Sequence, residues 1–401
     1  MTTSSSLTHR QVIAWRNALF VIFALCGVVM ASWASRIPAV KLALHASTSQ
    51  MGLLLFGIAA GSILGLLASS HVIARLGARR SVRWAVAIGA IGFALAGVGA
   101  TVGPTPLLVV IGLVAFGITF SLCDVSMNLL GATNERALGR SVMPVFHAFF
   151  SIGTIAGAGL GALAESVHLP IAIHLGISAV LFGVGAMIAV HYLQSENSVH
   201  EDSAPAAETT WRSRLGIWRD PRIIVIGLIV LGMAFAEGSA NDWLALSFVD
   251  GHGTTKAGGA LVLAVFVGAM TVGRLGGVRL LDRFGRVRVL RASAVLAGVG
   301  LVIVIFVPVL WVAIIGVVLW GLGASLGFPV GMSAAADDPA TAAARVSAVA
   351  TIGYFAFLVG PPVIGFLGQQ FGLLHALLVV LVLVAVAGFA SGAARERDRR
   401  A

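Results

Sequence analysis

Charge is what this chain has least of. Only 10% of its residues are Asp, Glu, Lys or Arg, while 58% are hydrophobic and the mean hydropathy is +1.00. A soluble domain carries roughly 25% charged residues, so too few are present to cover a surface facing water. Cysteine is nearly absent as well. Cys26 and Cys123 both fall in apolar runs, which excludes a disulfide framework and reads as two small buried hydrophobes. Alternating ten-residue strands are missing, which excludes a β-barrel. No Walker loop, metal-ligand cluster or Ser-His-Asp spacing occurs, so neither ATP nor a metal is implied, and no cofactor is expected.

What is present is apolar sequence in long pieces. A helix that crosses a bilayer needs about 20 apolar residues. Twelve such segments occur, at 17–37, 50–73, 83–102, 106–131, 143–166, 170–193, 222–247, 257–281, 289–308, 310–333, 346–368 and 372–391. The expected fold class is an all-α polytopic membrane protein. "VVMASWAS" after the first run has the small residues of a signal-peptide cleavage site, but that run has a counterpart in the repeat below and is read as a span.

The net charge of +10 and pI near 11.2 invite a nucleic-acid reading. The placement of the charge argues against it. With the N-terminus inside, Arg36, Lys41, Lys256 and Arg274 are the only basic residues outside the cytoplasmic segments, leaving 22 of 26 within them. This positive-inside bias puts both termini in the cytoplasm, and an inner membrane is the expected location. Lipid is the implied partner, nucleic acid is not, and a monomer is expected.

The chain also repeats itself. "SIG" at 151–153 returns as "TIG" at 351–353, and His147, Ser151 and Thr154 align with Ser347, Thr351 and Tyr354 at an offset of 200. Each triplet has i, i+4, i+7 spacing, one face of a helix. "VIARLGARR" at 72–80 echoes "LLDRFGRVR" at 280–288. The expected organisation is a six-helix bundle at 1–193, a linker at 194–221 and a second bundle at 222–401. Trp211, Leu215 and Trp218 in the linker have the spacing of a short interfacial helix. Two parallel six-helix repeats, each an inverted 3+3 pair, describe secondary transporters.

With these residues in view, the sequence resembles the major facilitator superfamily over essentially its whole length. "GRLGGVRLLDRFGRVR" is similar to that superfamily's cytoplasmic loop signature, with Asp282, Arg283, Gly285 and Arg286 in place. The resemblance implies that Asp282 latches the cytoplasmic side. The first-half loop has Ala74 at the matching position, so a one-sided latch is expected. "DVSMN" on the fourth span resembles the Glu-x-x-x-Asn of fucose–proton symporters, with Asp124 in the acid's place. "AEGSANDW" on the seventh resembles their GxE segment, with Glu237 as the acid. Ala34 stands where those symporters carry an acid on the first span, so the resemblance does not extend to their sugar. "LCGVVMASWASRIPA" and "LWGLGASLGFPV" are most similar to YbjJ-type bacterial inner-membrane proteins.

Of sixteen acidic residues, Asp124, Glu237 and Asp242 are placed within spans. A lone charge at mid-bilayer costs about 2.5–3.5 kcal/mol on insertion scales, so these acids point to a watery cavity. Asp124 and Asn128 share a face at i, i+4, as do Glu237 and Asn241. A carboxylate there is suited to pick up a proton on one side and release it on the other. Asp124 is the expected principal carrier and Glu237 a second proton or substrate site; the competing reading has Asp124 pair with Asn128, His147 or Arg274 and simply lock two helices. Arg36 and Asp242, at matching positions of the halves, form a candidate periplasmic gate pair. Asn128, His147 and Ser151 in one half and Asn241 and Tyr354 in the other are candidate solute ligands, with Trp33 as a stacking surface. Arg274 is read as a buttress of the latch, with an anionic substrate as its other possible partner. Glycines at 57, 61 and 65 and at 153, 157 and 161, with Ala269, Gly273 and Gly277, are read as sliding surfaces between the halves.

The function expected is a secondary active transporter, not an enzyme, importing a small polar solute by proton symport and driven by the proton gradient. The alternative is a proton antiporter that exports drugs or metabolites. The fifth span, "GTIAGAGLGA", lacks the Gly-Pro pair of antiporters, which favours import.

Overall fold

The computed structural model describes residues 7–139, 142–195, 217–337 and 341–395. Its secondary structure is helical throughout these residues, and twelve helices are long and apolar enough to cross a membrane. They are α1 (His9–Ala43), α2 (Thr48–Leu76), α3 (Ala78–Thr101), α4 (Pro106–Leu138), α5 (Met143–Ser166), α6 (Ile171–Val190), α7 (Pro221–His252), α8 (Lys256–Gly277), α9 (Arg279–Phe306), α10 (Leu310–Ala335), α11 (Arg345–Phe371) and α12 (Leu373–Ala394). Phe389, Trp311 and Leu67 are among the most exposed side chains. Large apolar groups turned outward in this number fit a lipid-facing surface.

Several helices run well past their apolar stretches, because capping decides where they stop. Thr8 and Gln11 form a capping box ahead of α1, Ser47 and Gln50 do the same for α2, and the Thr255 hydroxyl caps α8. Each box satisfies two of the amide groups that a helix start leaves open. Two turns rest on glycine. Gly77 (φ 78°, ψ 153°) separates α2 from α3, and Gly285 (φ 72°, ψ 163°), near the start of α9, breaks the continuous rod Lys256–Phe306 that α8 and α9 share. A side chain is strained in that region of backbone space. Pro361 and Pro362 are carried inside α11.

The contacts divide the chain into two compact units, Met1–Ala204 and Pro205–Ala401. In the first, α1 packs on α5 and α6, α2 on α4, and α3 on α4 and α6. In the second, α7 packs on α11 and α12, and α8 and α9 on α10. The expected interfacial helix falls largely on 196–216, outside the described residues, with Trp218 just beyond and exposed.

The glycine stripes correct the sequence reading. A Cβ on Gly153 would run into the Ala24 carbonyl of α1, and one on Gly65 into the Ile118 carbonyl of α4. Gly273 and Gly277 lie against Ser325 and Leu326 of α10. All three stripes are therefore taken up inside a unit. Small residues let main chains approach, and the helices that approach are bundle neighbours.

Candidate functional site

In the first unit Asp124 lies on α4, half-buried. Asn128, one turn on, donates Nδ2 both to the Asp124 carboxylate (3.1 Å) and to its main-chain carbonyl (2.9 Å). The i, i+4 spacing on an unbroken helix produces this contact directly. Cys26 of α1 and Cys123 of α4 are both buried free thiols. His147 at the start of α5 is exposed and meets Phe23 edge-on, with ring centroids 5.3 Å apart. Ser151, a turn later, is buried, and so is Trp33 on α1. Of the expected solute-binding face, His147 is exposed, Thr154 is half-buried with its hydroxyl bonded to the Phe150 carbonyl, and Asn128 on α4 is half-buried.

Arg36 has a partner the sequence reading overlooked. Its Nε lies 3.1 Å from Glu165 Oε1 of α5, with side-chain exposures of 3% and 9%, and its Nη2 donates to the Leu169 carbonyl at 2.7 Å. Arg36, the expected gate partner of Asp242, thus has its charge met inside its own unit. Glu165 lies in α5, inside the expected span 143–166, and Glu135 is added to the spanning helices because α4 runs on to Leu138. Glu135 accepts the amides of Val142 and Met143. His174 of α6 is buried too, and neither ring nitrogen has a partner among the described residues.

In the second unit Glu237 of α7 accepts a hydrogen bond from Arg274 Nη2 of α8 at 2.9 Å. Arg274 is therefore a counterion of Glu237 and does not buttress Asp282. Its Nε also points at the Ser325 carbonyl, 3.4 Å away. That carbonyl sits where α10 is interrupted between Ala324 and Gly327. A helix that breaks releases main-chain acceptors, and a neighbouring cation is a suitable partner for one. After Glu237, α7 widens into a π turn at Ala240–Leu244 that contains Asn241 and Asp242. The wider turn shifts residues beyond it out of the α register. No bond joins Asn241 to Glu237 among the described residues, so the parallel with Asp124 and Asn128 fails there. Tyr354 on α11 is exposed, its ring 6.4 Å from Phe328.

At the arginine-rich turn, Arg283 lies over the Phe284 ring at 5.3 Å, and Asp282 is exposed with no ion pair among the described residues. The acid engaged there is Asp337, at the end of α10. It binds Arg286 at 2.6 Å and Arg222 at 3.1 Å. Arg222 also donates to the Ala393 and Arg395 carbonyls, closing the end of α12. Asp337 was missed because it lies in the loop after an apolar run. The repeat held the signal: Glu135 and Asp337 are 202 residues apart, within the offset of the duplicated halves.

The family model of the Major Facilitator Superfamily matches residues 18–276 and 239–401, nearly the whole chain. The chain belongs to the Major Facilitator Superfamily. It is 32% identical over 390 residues to an uncharacterized MFS-type transporter of Yersinia pestis, covering 96% of each chain. An uncharacterized transporter of Sinorhizobium fredii is 30% identical over 393 residues, covering 94% of this chain and 99% of that one. Among solved structures, a point mutant of the nucleoside transporter NupG aligns with a TM-score of 0.77 at 14% identity, covering 96% of this chain and all of that one. A point mutant of the Escherichia coli fucose:proton symporter FucP aligns at 0.63 and 16%, covering 97% and 100%. At such identities these structures speak to the fold. Superfamily membership makes the chain a multi-pass membrane transporter.

Proposed function

We propose that this transporter imports a small polar solute by proton symport across the bacterial inner membrane, with both termini in the cytoplasm. Asp124 is the principal proton carrier, Glu237 the second. One observation carries the reading: each unit holds a carboxylate inside a span beside a polar or cationic partner, Asn128 for Asp124 and Arg274 for Glu237. A titratable acid in an apolar span is costly, and proton transfer explains its presence better than packing does, which an apolar residue would serve. Alternating access by two similar bundles supplies the two states that coupling needs. The fucose:proton symporter among the structural neighbours is consistent with this coupling.

The test begins with a thermal-shift panel on the purified protein, headed by nucleosides and fucose because those solutes name two neighbours. The hit is then followed into proteoliposomes under an imposed proton gradient. Asp124→Asn is expected to abolish gradient-driven accumulation while counterflow of labelled solute continues. Accumulation at the normal rate in the variant refutes the proton role of Asp124. Expulsion of solute against an inward proton gradient selects the antiport alternative.

A further inference from the structure

We propose that Arg274 is the docking point for a carboxylate on the transported solute, and that the solute displaces Glu237 from it. The substrate class is then an organic anion, and the inference rests on the reading of Glu237 as a proton site.

The geometry of the second unit carries the proposal. Arg274 lies within α8, inside a span, yet its side chain is 34% exposed, against 18% for Glu237. A guanidinium has five N–H donors in a planar fork suited to a carboxylate. The described bonds use two: Nη2 to Glu237 Oε1 at 2.9 Å, and Nε at a long 3.4 Å to the Ser325 carbonyl. Only one Glu237 oxygen is engaged, so the pair is not the bidentate fork that a permanent structural bridge favours. The Nη1 edge has no bond among the described residues. Both flanking elements are irregular: α10 is interrupted at Ser325 and Leu326, and the π turn of α7 opens three residues after Glu237. Interrupted helices at bilayer depth are where transporters place ion and substrate contacts, and π turns gather at functional sites.

Charge balance then links the solute to the proton. One guanidinium cannot neutralise two carboxylates, so an incoming anion leaves Glu237 with an unmatched negative charge inside the span. A proton on Glu237 restores neutrality, giving one proton per anion bound. Of the other titratable groups on α7 and the helices packed against it, Arg222 and Arg286 pair with Asp337, and Arg345 with Asp220. Arg279, Asp282, Arg283, Arg288 and Arg291 on α9, together with Asp242, Asp250, His252, Tyr354, Lys256 and His375, complete the set. None is bonded to Glu237 among the described residues.

The experiment uses the full-length protein in detergent, with benzoate, lactate and glucuronate as probes and benzamide, lactamide and glucose as their neutral counterparts. Thermal shift reads binding, and a pH dye in weak buffer reads proton uptake. At least one carboxylate is expected to raise Tm where its counterpart does not, with protons taken up. Glu237→Gln removes the internal competitor, so the same carboxylate should bind more tightly with no proton uptake. The double variant Arg274→Gln/Glu237→Gln leaves no stranded charge and should bind it about ten- to hundredfold more weakly than Glu237→Gln, the loss of a charged hydrogen-bond pair. Equal shifts from the neutral counterparts, an undiminished shift in the double variant, or no carboxylate shift in either wild type or Glu237→Gln overturns the proposal. Thermal shift reads binding with no gradient imposed, so its outcome is separate from the gradient-driven transport of Asp124→Asn, which tests the proton reading.

Discussion

Arg36 shows how much a single buried charge depends on its counterion. Its Nε and Glu165 Oε1 are 3.1 Å apart, and both side chains are nearly inaccessible. Removing one member of such a pair strands the other and costs about 3–5 kcal/mol, whereas removing both is close to neutral. Arg36→Gln is therefore expected to lower Tm strongly, and Arg36→Gln/Glu165→Gln to recover most of the loss, as read by thermal unfolding in detergent. A second variant no more stable than the first would show that Glu165 is not the partner that matters. At this scale the sequence was only partly legible. Asp124 and Asn128 were readable because one unbroken helix joins them. Arg274 with Glu237 and Arg36 with Glu165 were not, because such pairs depend on which helices lie side by side. A repeat offset carries no such information.

Among elements, the spans themselves were the easiest to read, since each is an apolar run long enough for a bilayer. Their ends were not. Thr8 with Gln11 carried α1 back to His9, well ahead of the expected start at 17, because a capping box satisfies amides that hydropathy does not register. The π turn at Ala240–Leu244 was equally hidden, since nothing in "ANDWL" breaks helical periodicity on paper. The turn between α2 and α3 and the break near the start of α9 are more transparent, as Gly77 and Gly285 occupy corresponding places in the repeat and nearly the same backbone conformation. Holding another residue there costs on the order of 1–3 kcal/mol. Gly285→Ala should lower Tm accordingly, while Gly159→Ala, where a Cβ meets nothing within 4 Å, should be neutral or slightly stabilising. Matching effects from the two changes would remove the backbone argument.

For the molecule as a whole, duplication and the arginine bias were both visible before any coordinates. The bias leads to a topology prediction. Green fluorescent protein fused at either terminus should fluoresce, and alkaline phosphatase fused in the α1–α2 connection should be active; a dark terminal fusion in a membrane-inserted protein reverses the orientation. The duplication is imperfect in an informative way. Asp337 clamps two arginines in one unit, while the matching Glu135 caps the start of α5 in the other. Acids at corresponding places of the repeat thus do different work, so the halves are not interchangeable in how they hold their ends together. The close seam between α1 and α5 adds a mechanical consequence. With the Gly153 position seated against the Ala24 carbonyl, these two helices have no side-chain cushion to shear. They must travel as a single lever, and whatever rearrangement the transport cycle demands has to be taken up elsewhere.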